Sequence, residues 1–349
     1  EKSGYFVLEY VPGQTLAERI TKGPLKLQEA LTIALQIAEA VAAAAEETVV
    51  GVKGGGMSDS IRATKVILSG SILIFAMSLL AAMPARADLD DSIIFKVRNI
   101  SQLSLEQLVK ELKGVRVVTI GEQHDNGAHH RSQLLIISAL HEAGYDIAIG
   151  FEQFGAHSQG GLDSWVAGKS GMEDLFRIYS LDWELNWWPL YLPIFKYARE
   201  HAIPMVGLNI PREIVRQVAS EGFSSLTREQ RGKIRVLSCS IDQKYKDTLG
   251  RVLGHKGTEQ GDKMFNNFCE AQVVWDTTMA LNAIDFIKAN PSKTLVILAG
   301  NFHAWKRGIP EQIQRESDME VRAILPSEDT SFFNYNVILE DADYVWWYE

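Results

Sequence analysis

The chain has 349 residues, 46% of them hydrophobic, and a formal net charge of −9. That length admits two domains, and that composition excludes wholesale disorder. The acidic balance, with no cluster of Lys and Arg, argues against a nucleic-acid partner, whose phosphates need a basic footprint.

Residues 1–50 read as a short apolar strand and a Pro-Gly turn, YFVLEYVPGQTLAERI, followed by the Ala-rich helix LQEALTIALQIAEAVAAAAEE. The stretch resembles the hinge and two following helices of a eukaryotic-type protein kinase, with Glu9, Tyr10 and Val11 where the hinge touches adenine. The Gly-rich loop, strand lysine, HRD-type base and DFG-type metal ligand that phosphoryl transfer needs are all missing. The resemblance therefore implies no kinase activity and reads as a gene-fusion or translation-start remnant.

A second segment, 57–87, starts at Met57. Arg62 and Lys65 supply a positive flank, Val66 to Ala82 an apolar run without a polar face, and Ala85-Arg86-Ala87 a small-x-small site ahead of Asp88. The expectation is an exported, periplasmic protein, soluble after cleavage near Ala87. If uncleaved, the protein is tethered to the membrane through 66–82.

Residues 88–349 form the third segment, the size of one larger domain. Apolar runs that read as buried parallel strands, 115–121, 146–152, 203–209 and 294–300, alternate with helical stretches. This predicts an α/β domain with helices covering both faces of a mostly parallel sheet. Between them, LDWELNWWPLYLPIFKYAREH (181–201) concentrates aromatic residues that a wet loop would not spend, so it is expected to pack or to line a pocket. Cys239 and Cys269 are too few for a disulfide scaffold and spaced unlike a zinc pair, so buried thiols are expected.

Open parallel sheets bind ligands beyond the carboxyl ends of their strands. Four strand ends here deliver polar groups: Glu122 and His124 in GEQH, Glu152, Asn209 with Arg212 just after, and His303 in GNFH. Gly-x-x-His occurs twice, at 121–124 and 300–303, and each glycine is expected to permit a sharp exit that turns its histidine back over the strand end. His129 and His130 open the next helix, one pointing to the site and the other capping or facing solvent. Such a set has three chemical outlets. It can ligate zinc, manganese or iron through Glu122, His124, Glu152 and His303. It can act as general acid and base without metal. It can hold haem, and since no CxxCH site exists, only non-covalently.

Taken together, TIGEQHDNGAHHRSQ, GFEQF, WELNWWPLYLPIFKYAREHAIPMVGLNIPREIVRQV, FCEAQVVWDTTMA and VILAGNFHAWKRGIP resemble the ChaN family of the Tiki/TraB/erythromycin-esterase superfamily over about 115–345. The resemblance implies a three-layer α/β domain over 88–349 and a role in haem or iron uptake. It also implies His124, His130 and His303 near the haem, homodimers that sandwich haem, and an outer-membrane uptake receptor as partner. The ligand tyrosine of the family has four candidates, Tyr179, Tyr191, Tyr197 and Tyr245. Hydrolase relatives imply the alternative, a metal-dependent esterase or peptidase. There Glu122, Glu152 and His303 would be catalytic and Arg212 would polarise a carbonyl.

Overall fold

The computed structural model describes residues 93–236, 241, 243–252, 259–327 and 341–347. The kinase-like fragment, the export segment and Cys239 lie outside the described residues. The chain divides into two units, Glu1–Pro84 and Ala85–Glu349, and every described residue belongs to the second.

Among the described residues, β1 (Ile93–Lys96), β2 (Ser101–Leu103), β3 (Val117–Glu122), β4 (Ile147–Gly155), β5 (Met205–Asn209), β6 (Thr294–Gly300), β7 (Val321–Ser327) and β8 (Tyr344–Trp347) form one sheet, in the order β2-β1-β8-β7-β3-β6-β4-β5. The run from β8 to β5 is parallel throughout, and β1 and β2 add an antiparallel edge. The four strands read from the sequence are the four consecutive members β3, β6, β4 and β5. Their β-branched and aliphatic runs are buried on both faces, as the middle of a parallel sheet requires. β1, β2 and β8, three or four residues each, are too short to announce themselves by pattern.

Helices cover both faces. α1 (Leu105–Glu111) is started by a Ser104/Gln107 capping box, and α2 (Gly127–Glu142) by the Asn126 side chain accepting from the Ala128 N–H at 2.9 Å. α3 (Gln159–Val166), α4 (Met172–Asp182), α5 (Trp188–Glu200), α6 (Arg212–Glu221), α7 (Arg228–Ile234) and α8 (Gln243–Val252) precede the 31-residue α9 (Glu259–Ala289). α10 (Asn301–Ala304) and α11 (Ile309–Glu316) follow β6.

Val117, Leu295, Ile297 and Val321 on one face of the sheet share a core with Ala283, Ile284 and Ile287 of α9 and Ile313 of α11. The other face carries an aromatic core in which Phe151 and Phe154 of β4 meet Phe195 of α5 at ring-centre distances of 5.4 and 5.3 Å. Alternate residues of a strand point to opposite faces. Polar residues at the strand ends are therefore dealt out to two separate layers. Cys269 is a buried free thiol on α9, as its composition suggested. Among the described residues, no helix is long and apolar enough to cross a membrane.

Candidate functional site

Glu122 ends β3 on the α2/α5 face and is fully sequestered among donors. Its Oε1 accepts from His124 Nδ1 at 2.8 Å, from Gln153 Nε2 at 3.1 Å and from the Tyr191 hydroxyl. Its Oε2 accepts from Gln133 Nε2 at 2.8 Å and lies 3.4 Å from His130 Nδ1. Burial alone drives this carboxyl upward, but His130, His124 and the Tyr191 hydrogen bond outweigh it and hold the pKa at about 2. Burial likewise pulls His124 down, yet its hydrogen bond to Glu122 and the charges of Glu152, Glu122 and Asp125 lift it to about 9. Burial and the Glu122 charge push the Tyr191 phenol well above its ordinary range, so it stays a neutral donor. The result is a carboxylate–imidazolium pair at neutral pH, its carboxylate buried and its imidazole partly exposed.

Glu152 projects from β4 to the opposite face. Its Oε2 accepts from the Gly300 N–H at 2.7 Å, and its Oε1 stands 3.5 Å from His303 Nε2. His303 in α10 is held at Nδ1 by Asp276 of α9, 2.6 Å away, and packs on Trp275 at 4.6 Å between ring centres. Burial lowers the His303 pKa and raises that of Asp276 well above the carboxylate range. The pair thus holds one proton between Oδ1 and Nδ1 and carries no net charge. The Glu122–His124 pair is thus charged and the His303–Asp276 pair neutral.

The two halves interlock through the glycines of the two motifs. Glu122 is paired with Gly300 and Gly121 with Ala299 across β3 and β6. A Cβ on Gly300 would stand 3.0 Å from Cε1 and 3.1 Å from Nε2 of His124, and one on Gly121 would strike Asn301 and come within 2.7 Å of Leu325. Each glycine makes room for a residue of the other motif. The expectation of a special backbone exit is corrected: among the described residues neither glycine has a positive φ, and Gly300 sits at φ −54, ψ 150. What requires the missing side chain is close approach, not dihedral freedom.

His129 and His130 are both buried, so neither faces solvent. His129 Nδ1 accepts the Gln123 N–H at 2.9 Å, fixing the loop, while His130 reaches the Glu122 cluster and bonds the His124 carbonyl through Nε2 at 3.0 Å. Arg212 does not reach the carboxylates. It is half exposed and paired with Glu184 at 2.9 Å, at the start of α6, where a polarising role would need it turned inward.

The four-residue metal set is corrected too. Among the described residues no group of three or more His, Cys, Asp or Glu side chains is disposed to hold a metal ion. Glu122 is saturated by its own donors, His303 Nδ1 belongs to Asp276, and alternation along the strands sends Glu122 and Glu152 to opposite faces.

Sequence reasoning named Glu122, His124, His130, Glu152 and His303, and the structure gathers all five at one edge. It missed Asp276, Gln133 and Gln153. An acid inside the apolar run VVWDTTMA and an amide inside the strand GFEQF are the signals that point to two of them. Gln133 lies one turn beyond His129 and His130 on the buried face of α2. The aromatic stretch supplies the rim as expected: Trp183 meets the His124 ring edge-on at 5.0 Å and Trp187 lies over it at 5.2 Å. His124 is the one imidazole of the site that reaches the surface, and in the same 181–187 stretch Leu181 and Leu185 are 60% and 48% exposed.

None of the four tyrosines presents a free phenol at this rim. Tyr179 donates to the Glu184 carbonyl at 3.1 Å, Tyr191 to Glu122, and Tyr197 is joined to His141 at 3.1 Å. Tyr245 is buried in the α9 core.

Comparison with known proteins bears on this arrangement. The model of the family described as "Haem-binding uptake, Tiki superfamily, ChaN" matches residues 108–313. The solved structure of ChaN of Campylobacter jejuni, reported with cofacial haem binding, superposes with a TM-score of 0.60 at 22% identity. The superposition covers 74% of this chain and 98% of that one, a likeness of fold. An erythromycin esterase mutant, EreC in its open conformation, gives a TM-score of 0.39 at 17% identity over 67% and 76% of the two chains. No curated protein matches.

Proposed function

Because the chain belongs to the haem-binding uptake (ChaN) family of the Tiki superfamily, we propose that it binds haem non-covalently at the His124 rim and serves haem or iron uptake outside the cytoplasm. The observation that carries the reading is the setting of His124. A buried carboxylate fixes its Nδ1, two indoles flank its ring, and the stretch that carries the indoles also exposes Leu181 and Leu185. These residues fit the group: a carboxylate on Nδ1 orients an imidazole and raises its basicity as a ligand through the other nitrogen, and flat macrocycles pack on aromatic and aliphatic ledges. Haem bound there would be held by His124 through Nε2 between Trp183 and Trp187, and would supply an iron centre. His124 must first give up its Nε2 proton, so affinity rises with pH as the pKa of about 9 is approached.

The test is hemin titration of the full chain, read as a Soret shift. One equivalent should bind, with affinity reduced at least tenfold in His124→Ala and Trp187→Ala. Weak, unsaturable binding that neither variant alters overturns the proposal. Bound zinc, manganese or iron lost in Glu152→Gln would instead favour the metal-dependent hydrolase. Export belongs to the same proposal and rests on the charge, apolar length and small residues of 57–87. N-terminal sequencing of the native protein should give a start at Asp88. Pairing of two copies across haem and delivery from an outer-membrane receptor are the partners such a role would have.

A further inference from the structure

α2 begins just after the carboxyl end of β3 and runs back to feed the amino end of β4, and α5 feeds the amino end of β5 in the same way. Their C-terminal ends therefore lie at the end of the sheet opposite His124. His141, in the last turn of α2, is eleven residues beyond His130, or roughly 16 Å along the helix at about 1.5 Å per residue.

At that end three rings from the two helices meet. His141 and His201, the C-cap of α5, have ring centres 4.8 Å apart at 58°. Tyr197, one turn before His201, packs against it at 4.2 Å, and its hydroxyl lies 3.1 Å from His141 Nδ1. Nothing in the haem reading uses this cluster.

We infer that His141 and His201 form a two-histidine site for a first-row divalent transition-metal ion, with water completing the coordination. Two nitrogens each about 2 Å from one ion stand no more than about 4 Å apart, and ring centres at 4.8 Å let neighbouring nitrogens come that close. Ligation through Nε2 leaves His141 Nδ1–H to donate to the Tyr197 oxygen 3.1 Å away, an outer hydrogen bond that orients the ring. Both histidines sit at helix C-termini, where terminal carbonyls favour positive charge. Glu142 and Glu200 flank them on the exposed surface. The nearby guanidinium of Arg199 is engaged elsewhere, over the Trp165 ring at 4.2 Å and on the Ser170 carbonyl at 3.0 Å, so it does not occupy the site. Imidazole donors with water follow the Irving–Williams order, which makes Cu2+ the tightest probe and Zn2+ a weaker one.

The experiment is calorimetric titration of untagged full-length protein with Cu2+, paired with electron paramagnetic resonance. One equivalent should bind with hyperfine structure from two nitrogens and should persist in His124→Ala, which separates this site from the haem rim. His201→Ala removes only an exposed ring and should weaken binding at least tenfold. His141→Ala should do the same, and Tyr197→Phe, which keeps the ring and removes the hydroxyl, should weaken it about tenfold, the scale of losing a ligand's outer hydrogen bond. Unchanged Cu2+ binding in His201→Ala, or a bound equivalent lost only in His124→Ala, overturns the assignment.

Discussion

Glu122→Gln removes one charge from the middle of the site while keeping its shape. His124 lies at about 9 in the folded protein against 6.5 when free, and Glu122 at about 2 against 4.5. Each displacement corresponds to about 3 kcal/mol, at about 1.4 kcal/mol for each tenfold change in proton affinity. They are largely one coupling seen from its two partners, so it counts once. The folded pKa of His124 is raised, so its contribution is full below pH 6.5 and is lost as pH rises through 9. The folded pKa of Glu122 is depressed, so its contribution is full above pH 4.5 and is lost as pH falls through 2.

Stability should therefore peak between pH 4.5 and 6.5 and fall on both sides. Glu122→Gln should flatten the alkaline limb and cost about 3 kcal/mol at pH 6, since breaking a buried pair leaves the other charge uncompensated. At roughly 2–4 °C per kcal/mol for a domain of this size, that lowers Tm by about 6–12 °C. Thermal unfolding from pH 3 to 9 measures the stability, and nuclear magnetic resonance titration of His124 measures the pKa. A His124 pKa still near 9 in Glu122→Gln would refute the coupling.

Gly300→Ala places a methyl group 3.0 Å from the His124 ring at a backbone conformation alanine tolerates, so it should cost only about 1 kcal/mol while lowering hemin affinity at least tenfold. Asp276→Ala leaves His303 Nδ1 buried without its partner and should cost about 2–3 kcal/mol in urea unfolding. Asp276→Asn, which can still accept from Nδ1–H, should cost under about 1 kcal/mol by the same hydrogen-bond arithmetic; equal losses would contradict a neutral pair. Gln159 covers the outer edge of β5, donating to the Met205 carbonyl at 2.8 Å and accepting from the Gly207 N–H at 3.0 Å. Gln159→Ala should expose a pairing edge and raise the associated fraction in light scattering, with the monomer otherwise folded.

The central parallel strands were legible because burial on both faces leaves an unbroken apolar run, and Glu122, His124, Glu152 and His303 because polar residues at the ends of such runs stand out. β1, β2 and β8 were not legible, being too short to carry a period. Asp276 escaped because it reaches His303 from a helix 27 residues earlier, a relation that no local pattern encodes.

The sequence by itself determined the class of fold, the edge at which the polar groups collect, and the imidazoles and carboxylates that the strand ends bring there, since strand periodicity and the rule for strand ends are local properties. Only the tertiary structure decided how they divide. Strand pairing set Glu122 opposite Gly300 and sent Glu152 to the other face, so that α2 and α5 supply donors to one carboxylate while α9 supplies a neutral acid to the second histidine. A charged Glu122–His124 pair and a neutral His303–Asp276 pair, joined where one motif's glycine admits the other's histidine, follow from register and from which helix packs on which face. Those are relations between segments far apart in the chain.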